Sequence, residues 1–153
     1  MDGTVSLPYC HSLIRISQLS SRIEKMLSAV RCVEQGPAAT IQTVQKLDND
    51  LVRLKTSLVE EFGLSLGDRV SEMSPRCGLT MEQFLYVQYA YMTATLSIHT
   101  VLAYPWMRAL TGVRSQDQFR DAVARSITAV KQCSHKAIMA TEQIHFRADT
   151  PVP

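Results

Sequence analysis

The chain is poor in cysteine, and the four it has, Cys10, Cys32, Cys77 and Cys133, stand far apart with no CxxC or CxH pair among them. Small zinc sites take ligand pairs from tight turns, and secreted disulfide scaffolds are denser in cysteine than this. Free thiols in a reducing compartment are therefore expected, with no metal site. An excess of charge of one sign is also missing: 16 Lys and Arg face 14 Asp and Glu, for a formal +2. No basic stripe is present to neutralise a row of phosphates, so direct contact with nucleic acid is not expected. There is no Gly-rich phosphate loop, GxSxG elbow, HExxH pair or paired-carboxylate motif. Nothing in the residues calls for enzyme chemistry or a cofactor.

The opening stretch, MDGTVSLPYCHSL, has no apolar run and no Lys or Arg ahead of Arg15. Neither a secretory leader nor a transit peptide is expected, which leaves the nucleus or the cytoplasm.

What is present is enough for one folded domain. The 153 residues are 46% apolar and 20% charged, the balance of an ordinary globular protein. Four segments carry helical periodicity and none carries sustained strand alternation. In the first, from about Ser12 to Val33, Leu13, Ile16, Leu19, Ile23, Met26, Val30 and Val33 recur at spacings of three and four. Gly36-Pro37 is the expected stop. The second runs from about Ala38 to Phe62 with a stripe of Ile41, Val44, Leu47, Leu51, Leu54 and Leu58; Asp48, Asp50, Arg53 and Lys55 fall largely off it, and Gly63 ends it. The two read as an antiparallel hairpin. A connector rich in glycine and polar residues follows, from Gly63 to Gly78.

Thr80 then offers an N-cap, with Gln83 at capping-box spacing, to a helix expected to reach about Ala103. Phe84, Leu85, Val87, Tyr91, Met92, Leu96, Ile98, Val101 and Leu102 make it apolar nearly all round, which suits a helix surrounded by others. Pro105 should stop it, with Trp106 and Met107 folding back onto the core. A fourth helix is expected from Ser115, with Gln118 as capping partner, towards His145. The fold class is all-α, a helical bundle of about four long helices with a buried central helix. The domain spans residues 9–146, with flexible ends at 1–8 and 147–153.

The uncharged run from Gln83 to Met107 has the length of a membrane span, about 20 residues. Gln83, Gln88, Thr93, Thr95, Ser97, His99 and Thr100 are spread through it, and no basic cluster marks a flank, so a buried helix is expected and no membrane. His99 is the one titratable side chain of note. Catalysis would require a partner, and the nearest carboxylate on its own helix is Glu82. A hydrogen bond to a neighbouring helix is the expected role. Tyr91, His99, Tyr104 and Trp106 are the candidates for a pocket holding a small apolar effector, the alternative being that the aromatics are core with hydroxyls reaching polar partners.

Four stretches, HSLIRISQLSSRIEKMLS, QTVQKLDNDLVRLKTSL, YVQYAYMTATLSIHTVLAYPW and ARSITAVKQCSHKAI, carry a family resemblance. In order and spacing they resemble the C-terminal part of the fungal-specific transcription factor regulatory domain, the helical middle-homology region downstream of binuclear zinc-cluster DNA-binding domains. In that family a long aromatic-rich helix often ends in an Ile-His or Leu-His pair, followed by a proline and an aromatic; here these are Ile98-His99 and Pro105-Trp106. Cys133 and Ala137 match a cysteine and small residues of the next long helix. The family's Trp and Leu-Pro in the second helix are replaced by Leu54 and Leu58-Val59.

The resemblance implies a non-enzymatic, nuclear transcription-regulatory domain, either a piece of a longer regulator or a module that stands alone. It lacks a zinc cluster of its own. Its partners would be a small apolar effector and either the transcription machinery or a second copy of the chain. The alternative is a small helical enzyme or accessory protein of a metabolic (secondary-metabolite) pathway.

Overall fold

The structure, a computed structural model of the chain, describes residues 7–64, 66, 78–111 and 119–141. These residues form helices and no strand: α1 (Leu7–Met26), α2 (Ala29–Phe62), α3 (Met81–Ala103), α4 (Pro105–Thr111) and α5 (Arg120–Thr141). The all-α bundle of four long helices is as expected, with a short fifth helix, α4, after Pro105. None of these helices is long and apolar enough to cross a membrane.

The centre is α3. It packs against each of the other four helices, most extensively against α5 and then α1. Its start follows from the expected capping box: the Thr80 hydroxyl accepts from the Gln83 N–H at 3.2 Å, and the Gln83 side chain accepts from the Thr80 N–H at 3.1 Å. Phe84, Leu85, Val87, Met92, Ala94, Ile98, Val101 and Leu102 are all buried along it. At its end Tyr104, forced out of helical geometry by the following Pro105, is extended (φ −83°, ψ 130°). The Tyr104 N–H donates back to Thr100 and its carbonyl accepts from Arg108, so one residue closes α3 and opens α4. Met107 packs on the core as expected. Trp106 does not: it is 65% exposed and stacks on Tyr104 at 4.5 Å, because the first turn of α4 points it outward.

The first hairpin reverses at Gly36-Pro37, as the sequence suggests, with a further break earlier in its first arm. α1 begins at Leu7 rather than Ser12 and stops at Met26. Leu27-Ser28 is a break within the first arm, where Leu27 is buried and the Ser28 hydroxyl caps the start of α2 by accepting from the Arg31 N–H. Gly36-Pro37 is the stop the sequence suggests: with Gly36 at φ 77° and ψ 175° the chain leaves helical geometry, and the two helical stretches of α2 meet there at a sharp reversal. Helical packing resumes on both sides because a buried hydroxyl bridges the break: Thr40 Oγ1 lies 2.8 Å from the Gly36 carbonyl and 3.3 Å from that of Cys32. Burial pushes the Cys32 thiol up from its ordinary range, offset in part by its contact with Thr40. α2 then ends where expected, at Gly63 in the left-handed conformation (φ 66°), whose N–H donates to the Val59 carbonyl.

Ion pairs set the antiparallel register of α1 on α2. Arg22 meets Asp50 at 2.7 Å, while Arg15, further from the turn on α1, meets Glu61 at 3.0 Å. Ser57 donates to Glu61 and, with Arg15, holds that carboxyl below its ordinary value. These groups are exposed or half-buried at the surface, so their worth lies in register more than in stability. The energy comes from the apolar seam, where Ile16, Leu19, Ile23, Leu47, Leu51 and Leu58 are each at most 5% exposed.

The expected connector from Gly63 to Gly78 falls mostly outside the described residues, as do the expected Ser115–Gln118 capping pair and the stretch from 142 to His145.

A left-handed, extended glycine is difficult to replace. Nothing lies within 4 Å of a Cβ built on Gly36, so Gly36→Ala would add backbone strain without a clash. A loss of about 1–3 kcal/mol is expected, read from urea unfolding, with helix content by circular dichroism unchanged.

Candidate functional site

The buried positions of α3 are mostly apolar, interrupted by Gln88 and, near the C-terminal end, by His99. It is 6% exposed and flanked by Ile98 and Leu102, each at most 1% exposed. A buried imidazole needs partners for both nitrogens. Two other helices provide them: Nδ1 lies 3.1 Å from Ser126 Oγ on α5, and Nε2 lies 3.3 Å from Asp48 Oδ1 on α2. A carboxylate only accepts, so Nε2 carries the hydrogen and donates to Asp48. In the neutral ring Nδ1 is then the acceptor and Ser126 O–H the donor. The arrangement ties α5 to α3 to α2 through a single side chain. Among the described residues no buried side-chain nitrogen or oxygen lacks a partner.

The small Ser126 side chain allows this contact, since it is 1% exposed on the face of α5 that meets α3. Asp48 lies one turn after Val44 and next to the fully buried Leu47. It borders the apolar stripe of α2, in keeping with the expectation that it falls largely off it. Ile41, Val44, Asp48, Leu51, Lys55 and Leu58 step by three and four, so the carboxylate sits at the stripe's edge, where α3 passes.

Serine, histidine and aspartate in one row invite comparison with a nucleophilic triad. The burial order is the reverse of what that chemistry requires. A nucleophile must be reachable and the orienting carboxylate shielded. Here the hydroxyl is the deepest group, whereas the Asp48 side chain is 44% exposed and the imidazole 8%. Ser126 also lies well inside α5, where backbone N–H groups are committed to helical bonds and form no oxyanion hole.

Beside this row, between α2, α3 and α5, opens a cavity of about 310 Å³. Its apolar wall is Ile41, Val44, Leu102 and Ala122. Asp48, His99 and Ser126 form one polar side, with Gln45, Asn49 and Arg125 at the exposed rim. Of the four residues singled out in the sequence, His99 lines this cavity and Tyr91, Tyr104 and Trp106 do not. Tyr91 is half-buried against the core, and Tyr104 and Trp106 stack on each other at the surface. Asp48, Arg125 and Ser126 were not anticipated. The available signal was their position: single polar residues on otherwise apolar helix faces.

Two thiols, Cys32 and Cys133, are buried as well. Cys133 is 8% exposed, its sulfur 3.4 Å from the Met92 carbonyl, and burial raises its pKa above the ordinary thiol range. Among the described residues no three His, Cys, Asp or Glu converge as a metal site would require.

If His99 ties three helices together, His99→Ala should cost about 2–4 kcal/mol in urea unfolding, from two lost hydrogen bonds and the void left behind. Ser126→Ala should cost about 1–3 kcal/mol, because it leaves Nδ1 unpaired. The double variant should cost less than the sum of the two. Comparison with known proteins adds no relative: no family model, curated protein or solved structure matches the chain.

Proposed function

We propose that the chain is a non-enzymatic transcription-regulatory domain acting in the nucleus, as its resemblance to the C-terminal part of the fungal zinc-cluster regulatory domain implies. It would act on an attached or partner DNA-binding region, and not through DNA contacts of its own. The observation that carries the reading is the His99 row. The histidine of the Ile98-His99 signature is buried as a hydrogen-bonded tie between α2, α3 and α5, and the hydroxyl beside it is the least accessible group of the row. That suits a domain whose output is the relative placement of helices. An effector held in the adjoining cavity would bias that placement by binding one arrangement more tightly than another.

The alternative, a small helical enzyme or accessory protein of a metabolic pathway, draws on the same three side chains. The two readings separate experimentally. Fused to a heterologous DNA-binding domain, the chain should change reporter output relative to that domain alone, and a fluorescent fusion should concentrate in the nucleus. A fluorophosphonate probe should leave Ser126 unlabelled in the folded protein. An unchanged reporter would contradict the regulatory reading, and labelling at Ser126 would favour the enzyme.

A further inference from the structure

The rim of the cavity carries one charge of each sign, and the two do not meet. Asp48 enters from α2; its Oδ1 accepts from His99, while Oδ2 makes no hydrogen bond among the described residues. Arg125 enters from α5, exposed, and makes no ion pair or side-chain hydrogen bond among the described residues. Both line the same cavity of about 310 Å³. Ile41, Val44 and Leu102, each at most 7% exposed, line the same cavity.

Opposite charges that line one partly apolar cavity without pairing to each other are matched by a ligand with the complementary pair. A guanidinium presents a planar fork that suits a carboxylate, and a carboxylate oxygen suits a compact ammonium. A ligand with only one of these charges would shield the other site group from water without pairing it, which is unfavourable. The volume is near the lower end, roughly 300 Å³, of cavities that take small molecules, too small for a folded or extended peptide.

We infer that the cavity binds a small zwitterion of amino-acid type, its carboxylate on Arg125, its ammonium on Asp48 and its apolar side chain against Ile41, Val44 and Leu102. His99 fixes the Asp48 carboxylate from below, so the ligand's ammonium and the three-helix tie share one acceptor group. Occupancy is thereby coupled to the junction of α2, α3 and α5. The inference rests on the regulatory reading for the ligand's role as effector, and on the cavity alone for its binding.

The test uses the full chain with L-leucine and L-phenylalanine as probes. Each is compared with its amide, which lacks the carboxylate, and its des-amino acid, which lacks the ammonium. A saturable rise in Tm with the intact amino acids is expected. Calorimetric affinity should fall about 10- to 100-fold for each truncated analogue and for Arg125→Gln, the loss of one charge-assisted contact. Arg125 is exposed, so its replacement should leave the unfolding curve unchanged. Asp48→Asn keeps an oxygen towards His99 and should weaken the amino acids more than it weakens the des-amino acids. Absence of a saturable response to both amino acids would overturn the proposal, as would equal binding of the amides or full affinity in Arg125→Gln. Binding without any reporter response would leave the zwitterion site standing and count against the regulatory role alone.

Discussion

A histidine on the inner face of a helix enclosed on most of its sides is the constraint on which the rest of the structure depends. Only a narrow line of α3, through Glu82, Tyr86, Thr93 and Ser97, is left to water, and the rest is enclosed by its neighbours. Once enclosed, His99 has to find both of its hydrogen-bond partners in side chains of other helices, because the backbone groups around it are committed to helical bonds. Ser126 and Asp48 meet that demand at 3.1 and 3.3 Å. Apolar packing alone tolerates sliding and rotation of one helix on another. A two-ended hydrogen bond does not, so the row defines how α2 and α5 dock on α3 where the Leu, Ile and Val contacts define only that they do.

The same reasoning connects the reversal in α2 to the site. α2 runs 34 residues, from a capped break after α1 to Phe62. Gly36 and Pro37 redirect it after its first two turns, and Thr40 satisfies the freed carbonyls from within the core. The segment that carries Ile41, Val44 and Asp48 starts directly after that bend. A straight helix from Ala29 would leave along a different line, and the Asp48 carboxylate would be displaced from His99. The backbone conformation at Gly36 and the hydrogen bond at Asp48 are thus two ends of one geometric requirement.

Much of the scaffold was legible in the sequence where local chemistry and long-range packing agree. The start of α3 follows from Thr80 and Gln83, its end from Pro105, and the end of α2 from Gly63, because each signal is read by backbone groups within one turn of it. The hairpin turn follows in the same way from Gly36-Pro37, the strongest breaker between the first two stripes. The break at Leu27-Ser28 within the first arm was not legible, because a leucine that gains burial and a serine that caps the next helical stretch are common residues inside helices too. Of the site, His99 and its role as a tie between helices could be expected, but its partners could not. Polar residues recur along every stripe, and which of them meet depends on the axial offset between helices. That offset is fixed here by the α1–α2 ion pairs and by the lengths of chain between α2, α3 and α5. The aromatic cluster failed to gather about His99 because Pro105 turns Trp106 and Tyr104 outward.

The most direct measurement of the central claim is the tautomer and exchange lifetime of His99 by nitrogen-15 NMR of the histidine-labelled protein, recorded with the ring neutral. A ring held between Ser126 and Asp48 should show its hydrogen on Nε2, a protected Nε2–H signal, and a scalar or nuclear Overhauser connection to Ser126 on α5. A ring with the hydrogen on Nδ1, or one in rapid exchange with water and without contact to Ser126, would contradict the tie between α2, α3 and α5.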